Sequence, residues 1–450
     1  MREEWVRLFE GARVPRYTSY PTAPHFSAKI GADDYREWLG GLTGGERVSL
    51  YLHVPFCHQL CWYCGCNTTV TRNPGRIDRY ASYLMRELDL VAAALPVRPV
   101  LSHLHWGGGT PTTLGNRQLT DLMKLVQEVF AFEADAEIAI EIDPRTFVGR
   151  DIGALAGAGF NRVSIGVQTF DPQVQEAINR VQDFACVERA VAGLRGAGID
   201  NISMDLLYGL PHQSVDNLRA TVADVLELRP ARISLFGYAH LPTRILHQRM
   251  IDTNALAGPA ERVAQFEAVH DALVDAGYVA IGLDHFALPD DAMAVAWRTG
   301  TLRRNFQGYT TDLADALIGI GASSIGSLPR GYVQNHVRTD HWRAAIDDGR
   351  LPVARGIALD PQMRLDRAII EAIMCGGRVD LDRLSKDFGM PVQAAEPRPG
   401  AMKRLFELGI ARREGASIEV NEECRPLLRV VAAAFDRFLD PDEARHAAAL

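Results

Sequence analysis

Residues 51 to 67 read YLHVPFCHQLCWYCGCN and hold four of the chain's seven cysteines, Cys57, Cys61, Cys64 and Cys66. The first three keep the spacing C-x3-C-x2-C and follow directly on an apolar run, Val48 to Val54, that reads as a strand. Three thiolates on one tight loop can bind three irons of a cubane and leave the fourth iron without a protein ligand. Electron-transfer clusters, by contrast, usually carry four cysteines. A metal site one ligand short is open to substrate, by the logic that separates catalytic from structural zinc sites. A structural zinc site would want a second C-x2-C-like pair elsewhere. None exists, since Cys186, Cys375 and Cys424 are scattered. Disulfides are disfavoured, because the opening MREEWVRLFE has acidic residues and no apolar stretch like that of a secretory signal.

Outward from this loop, short apolar runs alternate with longer helical patterns. The strands expected are Val48–Val54, Leu101–Trp106, Glu137–Ile142, Arg162–Val167, Asn201–Leu207 and Ala231–Tyr238. Helices are expected over 77–95, 118–130, 152–158, 185–198, 216–228 and 260–277, with Gly159, Gly198 and Gly277 as stops. Six βα units in succession imply a parallel sheet with right-handed crossovers. The fold class is therefore α/β, an open three-quarter (β/α)6 TIM-like barrel, because six strands are too few for a closed eight-stranded one. Chemistry in such a fold sits at the C-terminal ends of the strands. Cys57 to Cys66, the triple glycine Gly107–Gly109 with Thr110, then Glu141, Asp143, Gln168, Asp205 and Tyr238–His240 all fall there or close by. Polar groups interrupting apolar runs are costly to bury without partners. A triple glycine is most often a plain turn, but after a strand it lets backbone approach a ligand closely. No Gly-Lys-Ser/Thr follows, so an ATP-binding loop is unsupported.

The flanking parts divide the chain into three. Residues 1–47 form an N-terminal arm whose Val14–Pro24 segment, with three prolines and two tyrosines, is expected to be extended. Residues 48–361 form the catalytic domain. Within it 278–336 is a connecting region holding His285 and Arg304–Thr311, and Gly319–Gly326 is expected as a tight loop. Residues 362–450 form a small, mostly helical domain with two β-like runs, similar to a winged helix, ending in a helix over 426–439. Its slightly acidic balance makes a DNA-reading role improbable.

Composition sets the outer bounds. At 450 residues the chain suggests one large domain plus a smaller one. Hydrophobic and charged contents of 47% and 23% are those of a soluble globular protein. No apolar run reaches the length of a membrane span. A net charge of −8 argues against nucleic-acid binding. A thiol-rich chain without a secretory signal is expected in the cytoplasm.

With Tyr63 placing an aromatic ring before Cys64, the cysteine motif resembles that of the radical S-adenosylmethionine superfamily. Taken with Pro15–Pro21, Trp106–Thr112, Tyr208–Pro211, Tyr238–Pro242, Asp284–Ala287 and Asn305–Thr311, the chain resembles, from about Pro15 to Leu439, the oxygen-independent coproporphyrinogen III oxidases of heme biosynthesis. The resemblance implies that Cys57, Cys61 and Cys64 ligate a [4Fe–4S] cluster, with two S-adenosylmethionine molecules bound. Tyr51, Gly108, Glu141 and Ile325 would contact the cluster-bound molecule. Tyr63, Gly109, Thr110, Gln168, Arg180, Asp205 and Ala239 would contact the second. Phenylalanine is familiar where Tyr63 stands, a mild departure, since either ring can stack. The implied reaction converts two propionates of coproporphyrinogen III to vinyl groups through a 5′-deoxyadenosyl radical, giving protoporphyrinogen IX. The electron donor would be a reduced flavodoxin or ferredoxin type, and a monomer is expected. Cys66 would be a pocket residue near the radical chemistry, a hydrogen or proton relay, or else a small buried thiol. The alternatives within the superfamily are a heme chaperone, which typically lacks the arm and the fourth cysteine, and a radical methylase.

Overall fold

The run Arg47–Val54 (β1) buries six of its eight residues, as a strand covered on both faces must. Parallel neighbours lie on each side of it. The structure, a computed structural model, describes residues 3–439 apart from Glu10 and Val148. Five more parallel strands follow β1 in chain order and in the sheet: β2 (Val100–Gly108), β3 (Ala131–Ile142), β4 (Arg162–Gln168), β5 (Asn201–Tyr208) and β6 (Arg232–Gly237). Each agrees with an expected strand to within a residue or two, except that β3 starts six residues early.

The sheet is wider than the sequence suggests. β7 (Val279–Ile281) and β8 (His285–Ala287) extend it antiparallel beyond β6. On the other side β9 (Ala316–Ile320) pairs parallel with β1, and β10 (Ile325–Leu328), β11 (Gly331–Asn335) and β12 (Val353–Ala358) continue antiparallel. The described residues thus form one twelve-stranded mixed sheet, in the order β12-β11-β10-β9-β1-β2-β3-β4-β5-β6-β8-β7. The expected loop over 319–326 is narrower than read: its ends belong to β9 and β10, and only 321–324 turn. Glycine is required in β9 beside that turn, since a Cβ on Gly319 would lie 2.8 Å from the Ile325 carbonyl oxygen.

Helices pack between the strands: α3 (Pro74–Ala94), α4 (Asn116–Val129), α5 (Gly149–Gly157), α6 (Phe184–Gly196), α7 (Val215–Leu228) and α8 (Pro259–Asp275). Asn73, Asp183 and Ser214 cap α3, α6 and α7 with their side chains. One core joins sheet and helices, from Leu50 and Trp106 to Ile233 and Trp342. Ahead of β1, α1 (Glu3–Phe9) and α2 (Ala32–Gly40) flank the proline-rich segment.

The C-terminal part is built on α9 (Pro361–Gly376) and a three-stranded sheet, β13 (Arg378–Asp380), β14 (Ala411–Glu414) and β15 (Ser417–Val420), in the order β13-β15-β14. Its separate core includes Trp5, Val14, Tyr17 and Tyr20, so the arm packs into this unit. The helix expected over 426–439 is broken: a 3-10 turn over Glu422–Leu427 leads into a short α-helix, Leu428–Ala432, and a second 3-10 turn ends at Phe435. The stretch 440–450 lies outside the described residues. No helix among the described residues is long and apolar enough to cross a membrane.

Candidate active site

The cysteine loop leaves β1 at its C-terminal end and is fastened on two sides. Phe56–Cys57 pairs in parallel with Thr69–Val70. Thr110 N donates to Phe56 O at 2.7 Å and Gly109 N to Val54 O at 2.8 Å. Trp62 N donates to Ile178 O at 2.9 Å, and Asn179 Nδ2 to Leu60 O at 2.7 Å. The glycines after β2 follow from this closeness. A Cβ on Gly109 would fall 2.6 Å from Phe56 O, and Gly108, at φ +114°, lies against the His53 ring.

All of the cysteines are free thiols. The three motif cysteines sit among cations and hydroxyls. Cys57 Sγ is 3.6 Å from Thr110 Oγ1, and burial pushes its thiol up to about 11. Cys61 Sγ accepts from Arg145 Nη2 and Arg180 Nη1, each at 3.5 Å. Both guanidiniums also bind Asp143, at 2.6 Å and 3.5 Å. The Cys66 thiol donates to Cys64, which lowers the pKa of Cys64 and raises that of Cys66. Cys66 is exposed on the cleft wall.

This donor set fits an anionic iron–sulfur cubane. Three thiols lie within eight positions, and Arg145 Nη1 and Arg180 Nε beside them are buried without a hydrogen-bond partner. Among the described residues no three His, Cys, Asp or Glu groups converge as they would on a single ion. A cubane does not ask for that, because each thiolate meets a different iron.

A cleft of about 790 Å³ opens beside the loop. Tyr51, Cys66, Gly108, Glu141, Asp205 and Ile325 line it. Glu141 is held by His105 Nε2 at 3.0 Å and Gly108 N at 3.2 Å. Tyr51 stacks on His105 and its hydroxyl meets His53 Nδ1 at 3.1 Å. Burial, with Glu141 nearby, pushes the Asp205 carboxyl up to about 6, and Ser164 Oγ donates to it at 3.3 Å.

The other expected site residues stand behind that surface. Thr110 touches Cys57 and Gly109 supports Phe56. Gln168, at φ +69°, ends β4. Arg180 is buried and donates to Gly166 O as well as to Cys61. Tyr63 packs against the apolar cluster of Val174, Ile178 and Tyr238. Ala239 lines a different cavity. Sequence reasoning missed Arg145, and also His247 and Gln248, whose side chains hold the Cys64 and Tyr63 carbonyls at 2.7 Å and 3.1 Å. These last two approach from more than 180 residues away, so no local pattern announces them.

The family profile described as the Radical SAM superfamily matches residues 51–225. Sheet, cysteine loop and glycine turn together define the class: a radical S-adenosylmethionine protein, with a [4Fe–4S] cluster and S-adenosylmethionine as its cofactors. The chain is 47% identical to an oxygen-independent coproporphyrinogen III oxidase of Bradyrhizobium diazoefficiens over 450 residues, covering 100% of both chains. It is 41% identical to one from Paracoccus denitrificans over 447 residues, covering 99% and 98%. Its structure is similar to that of coproporphyrinogen III oxidase from Escherichia coli, with a TM-score of 0.90, 37% identity and coverage of 94% and 98%. The chain belongs to the oxygen-independent coproporphyrinogen III oxidase family.

Proposed function

We propose that this chain carries out the oxygen-independent oxidative decarboxylation of two propionate side chains of coproporphyrinogen III, yielding the two vinyl groups of protoporphyrinogen IX. The observation that carries the reading is end-to-end identity of 47% to an enzyme of that name, with a three-cysteine loop beside a cleft of about 790 Å³. The six parallel strands are read as the wall of an open three-quarter barrel. The parts 1–47, 48–361 and 362–450 are read as arm, catalytic domain and winged-helix-like cap.

Cys57, Cys61 and Cys64 would hold three irons and leave the fourth for S-adenosylmethionine. When bound, this pair supplies a one-electron cleavage strong enough to take a hydrogen atom from an unactivated propionate. The residues of the chain bind, orient and shield. Arg145 and Arg180 offset negative charge at Cys61. Glu141, fixed by His105 and Gly108 N, offers its remaining lone pairs to an amino group, with Tyr51 and Ile325 as flanking walls. A second S-adenosylmethionine is assigned to Tyr63, Gly109, Thr110, Gln168, Arg180, Asp205 and Ala239. Exposure of Cys66 on the cleft supports its role as a hydrogen or proton relay. The protein is read as a cytoplasmic monomer served by a flavodoxin- or ferredoxin-type donor.

The test is anaerobic reconstitution followed by incubation with coproporphyrinogen III, S-adenosylmethionine and a reductant. Methionine, 5′-deoxyadenosine and the doubly decarboxylated product are expected, and none of them from Cys57→Ser. Full cofactor cleavage with an unaltered tetrapyrrole would refute the substrate.

A further inference from the structure

A groove of about 420 Å³ opens beside the cysteine loop. Phe56, joined covalently to Cys57, forms part of its wall, together with the start of α3 and the helix Thr339–Asp347. An aromatic row fixes the three pieces, since the Tyr80 ring stands 5.1 Å from Phe56 and 4.7 Å from Trp342. Tyr80 also donates its hydroxyl to His53 O at 2.9 Å. Among the described residues, this groove and the reaction cleft share no lining side chain. Nor does any group assigned above to the cluster or to S-adenosylmethionine line it.

Charge at this face runs against that of the chain. The whole sequence carries −8, yet residues 70–80 and 337–343 hold five arginines against two carboxylates, Asp78 and Asp340. Both carboxylates are engaged: Gln118 Nε2 donates to Asp78, and Arg338 Nη2 lies 2.6 Å from Asp340. Farther along, Asp347 is held by Arg86 at 2.7 Å. Arg76, Arg79 and Arg343 line the groove. Arg343 Nε donates to Thr339 O at 3.3 Å. Arg72, Arg76 and Arg79 are exposed, and their side chains make no hydrogen bond or ion pair among the described residues. Apolar surface adjoins them: Val70, which pairs with Cys57 in the short ladder that fastens the loop, is 45% exposed.

Exposed guanidiniums spread over a face, with an apolar spot among them, suit a macromolecule better than a small anion, which buried donors would enclose. Encounters between redox proteins bury little surface, below about 1,200 Å², and opposite charge steers them. We propose that this face is the docking site of a small acidic one-electron carrier protein, with Arg76, Arg79 and Arg343 as its charged rim and Val70 as its apolar spot. The proposal rests on the reading of the three-cysteine loop as a redox centre. In the step it serves, the carrier loses one electron and the cluster gains it, and no bond forms or breaks between them.

The test pairs the anaerobically reconstituted enzyme with reduced flavodoxin, an acidic carrier, and with reduced benzyl viologen, a small cationic reductant. Cluster reduction is followed by absorbance, and binding of oxidised flavodoxin to the oxidised enzyme by titration calorimetry. In the Arg76→Gln/Arg79→Gln double variant, the rate with flavodoxin and the affinity for it should each fall about tenfold at low salt, with a shallower salt dependence. The viologen rate should stay native, and Arg219→Gln, at an exposed position on α7, should leave every reading unchanged. Native rate and affinity for flavodoxin in the double variant overturn the site. Equal slowing with both reductants also overturns it, because that reports damage to the loop. Inorganic phosphate that releases flavodoxin at constant ionic strength overturns the macromolecular reading. An RNA oligonucleotide that binds this face more tightly than flavodoxin overturns the acidic carrier. Neither readout needs turnover of a tetrapyrrole, so a wrong substrate would not mimic a failed docking site.

Discussion

Replacing Gly109 by alanine should disable the cluster loop without removing a cysteine. The added methyl group would stand 2.6 Å from Phe56 O and 2.9 Å from Phe56 C and N, where real Cβ contacts essentially never fall under 3.0 Å. The obstacle is backbone, not the end of a flexible side chain. That backbone cannot simply retreat, because Thr110 N holds Phe56 O at 2.7 Å and Gly109 N holds Val54 O, two residues earlier, at 2.8 Å. Overpacking of this kind costs about 1–3 kcal/mol, and a lost backbone hydrogen bond adds about 1 kcal/mol. Together they predict a loss of about 2–4 kcal/mol in urea unfolding of the metal-free protein. Phe56 adjoins Cys57, so iron bound per chain after reconstitution should fall by about half or more. Gly45→Ala, where a Cβ meets nothing within 4 Å, is the control and should behave as the native protein. A Gly109→Ala protein that loads iron normally and unfolds with the control would refute the close approach of these two loops.

Other outcomes follow from the same geometry. Arg145→Gln removes a cation that donates to Cys61, so the midpoint potential of the cluster, read by anaerobic titration, should become more negative; an unchanged potential contradicts the charge role. Asp205 has its carboxyl raised from 3.8 to about 6, so the folded chain holds a proton that the unfolded chain has lost between those values. Stability should therefore drop by at most about 3 kcal/mol as pH rises through that window, and Asp205→Asn should abolish this part of the slope in urea titrations. An unaltered slope in the variant contradicts the buried carboxyl. Tyr17→Phe deletes the 2.9 Å bond to buried Asp436, at a cost of about 1–3 kcal/mol. Tryptic cleavage at Arg13 and Arg16 should accelerate, and an unchanged digestion rate would mean that this bond does not hold the arm.

What could be read from the sequence follows from how far apart the interacting parts lie. The strands β1 to β6 announce themselves because a strand buried on both faces is a continuous apolar run, and the glycines that stop the helices mark their ends. The strands β9 to β11 are short and broken by Gly319, Gly326 and Gly331, which locally look like turn residues; they become strands because they pair with one another and with β1. The last helix fails at both ends, because its first two residues belong to the 3-10 turn Glu422–Leu427 and the chain tightens again to 3-10 geometry after Ala432. At the site, the thiols and glycines are contiguous and legible. Their supports are not: Arg145 reaches Cys61 across 84 positions and His247 reaches Cys64 across 183.

The most direct measurement is Mössbauer and EPR spectroscopy of the anaerobically reconstituted enzyme before and after S-adenosylmethionine is added. A [4Fe–4S] centre with one iron that changes its spectrum on addition, and that is lost in Cys57→Ser, Cys61→Ser and Cys64→Ser alike, is the predicted result. A centre whose four irons all ignore the added molecule, or a metal content of zinc, would contradict it.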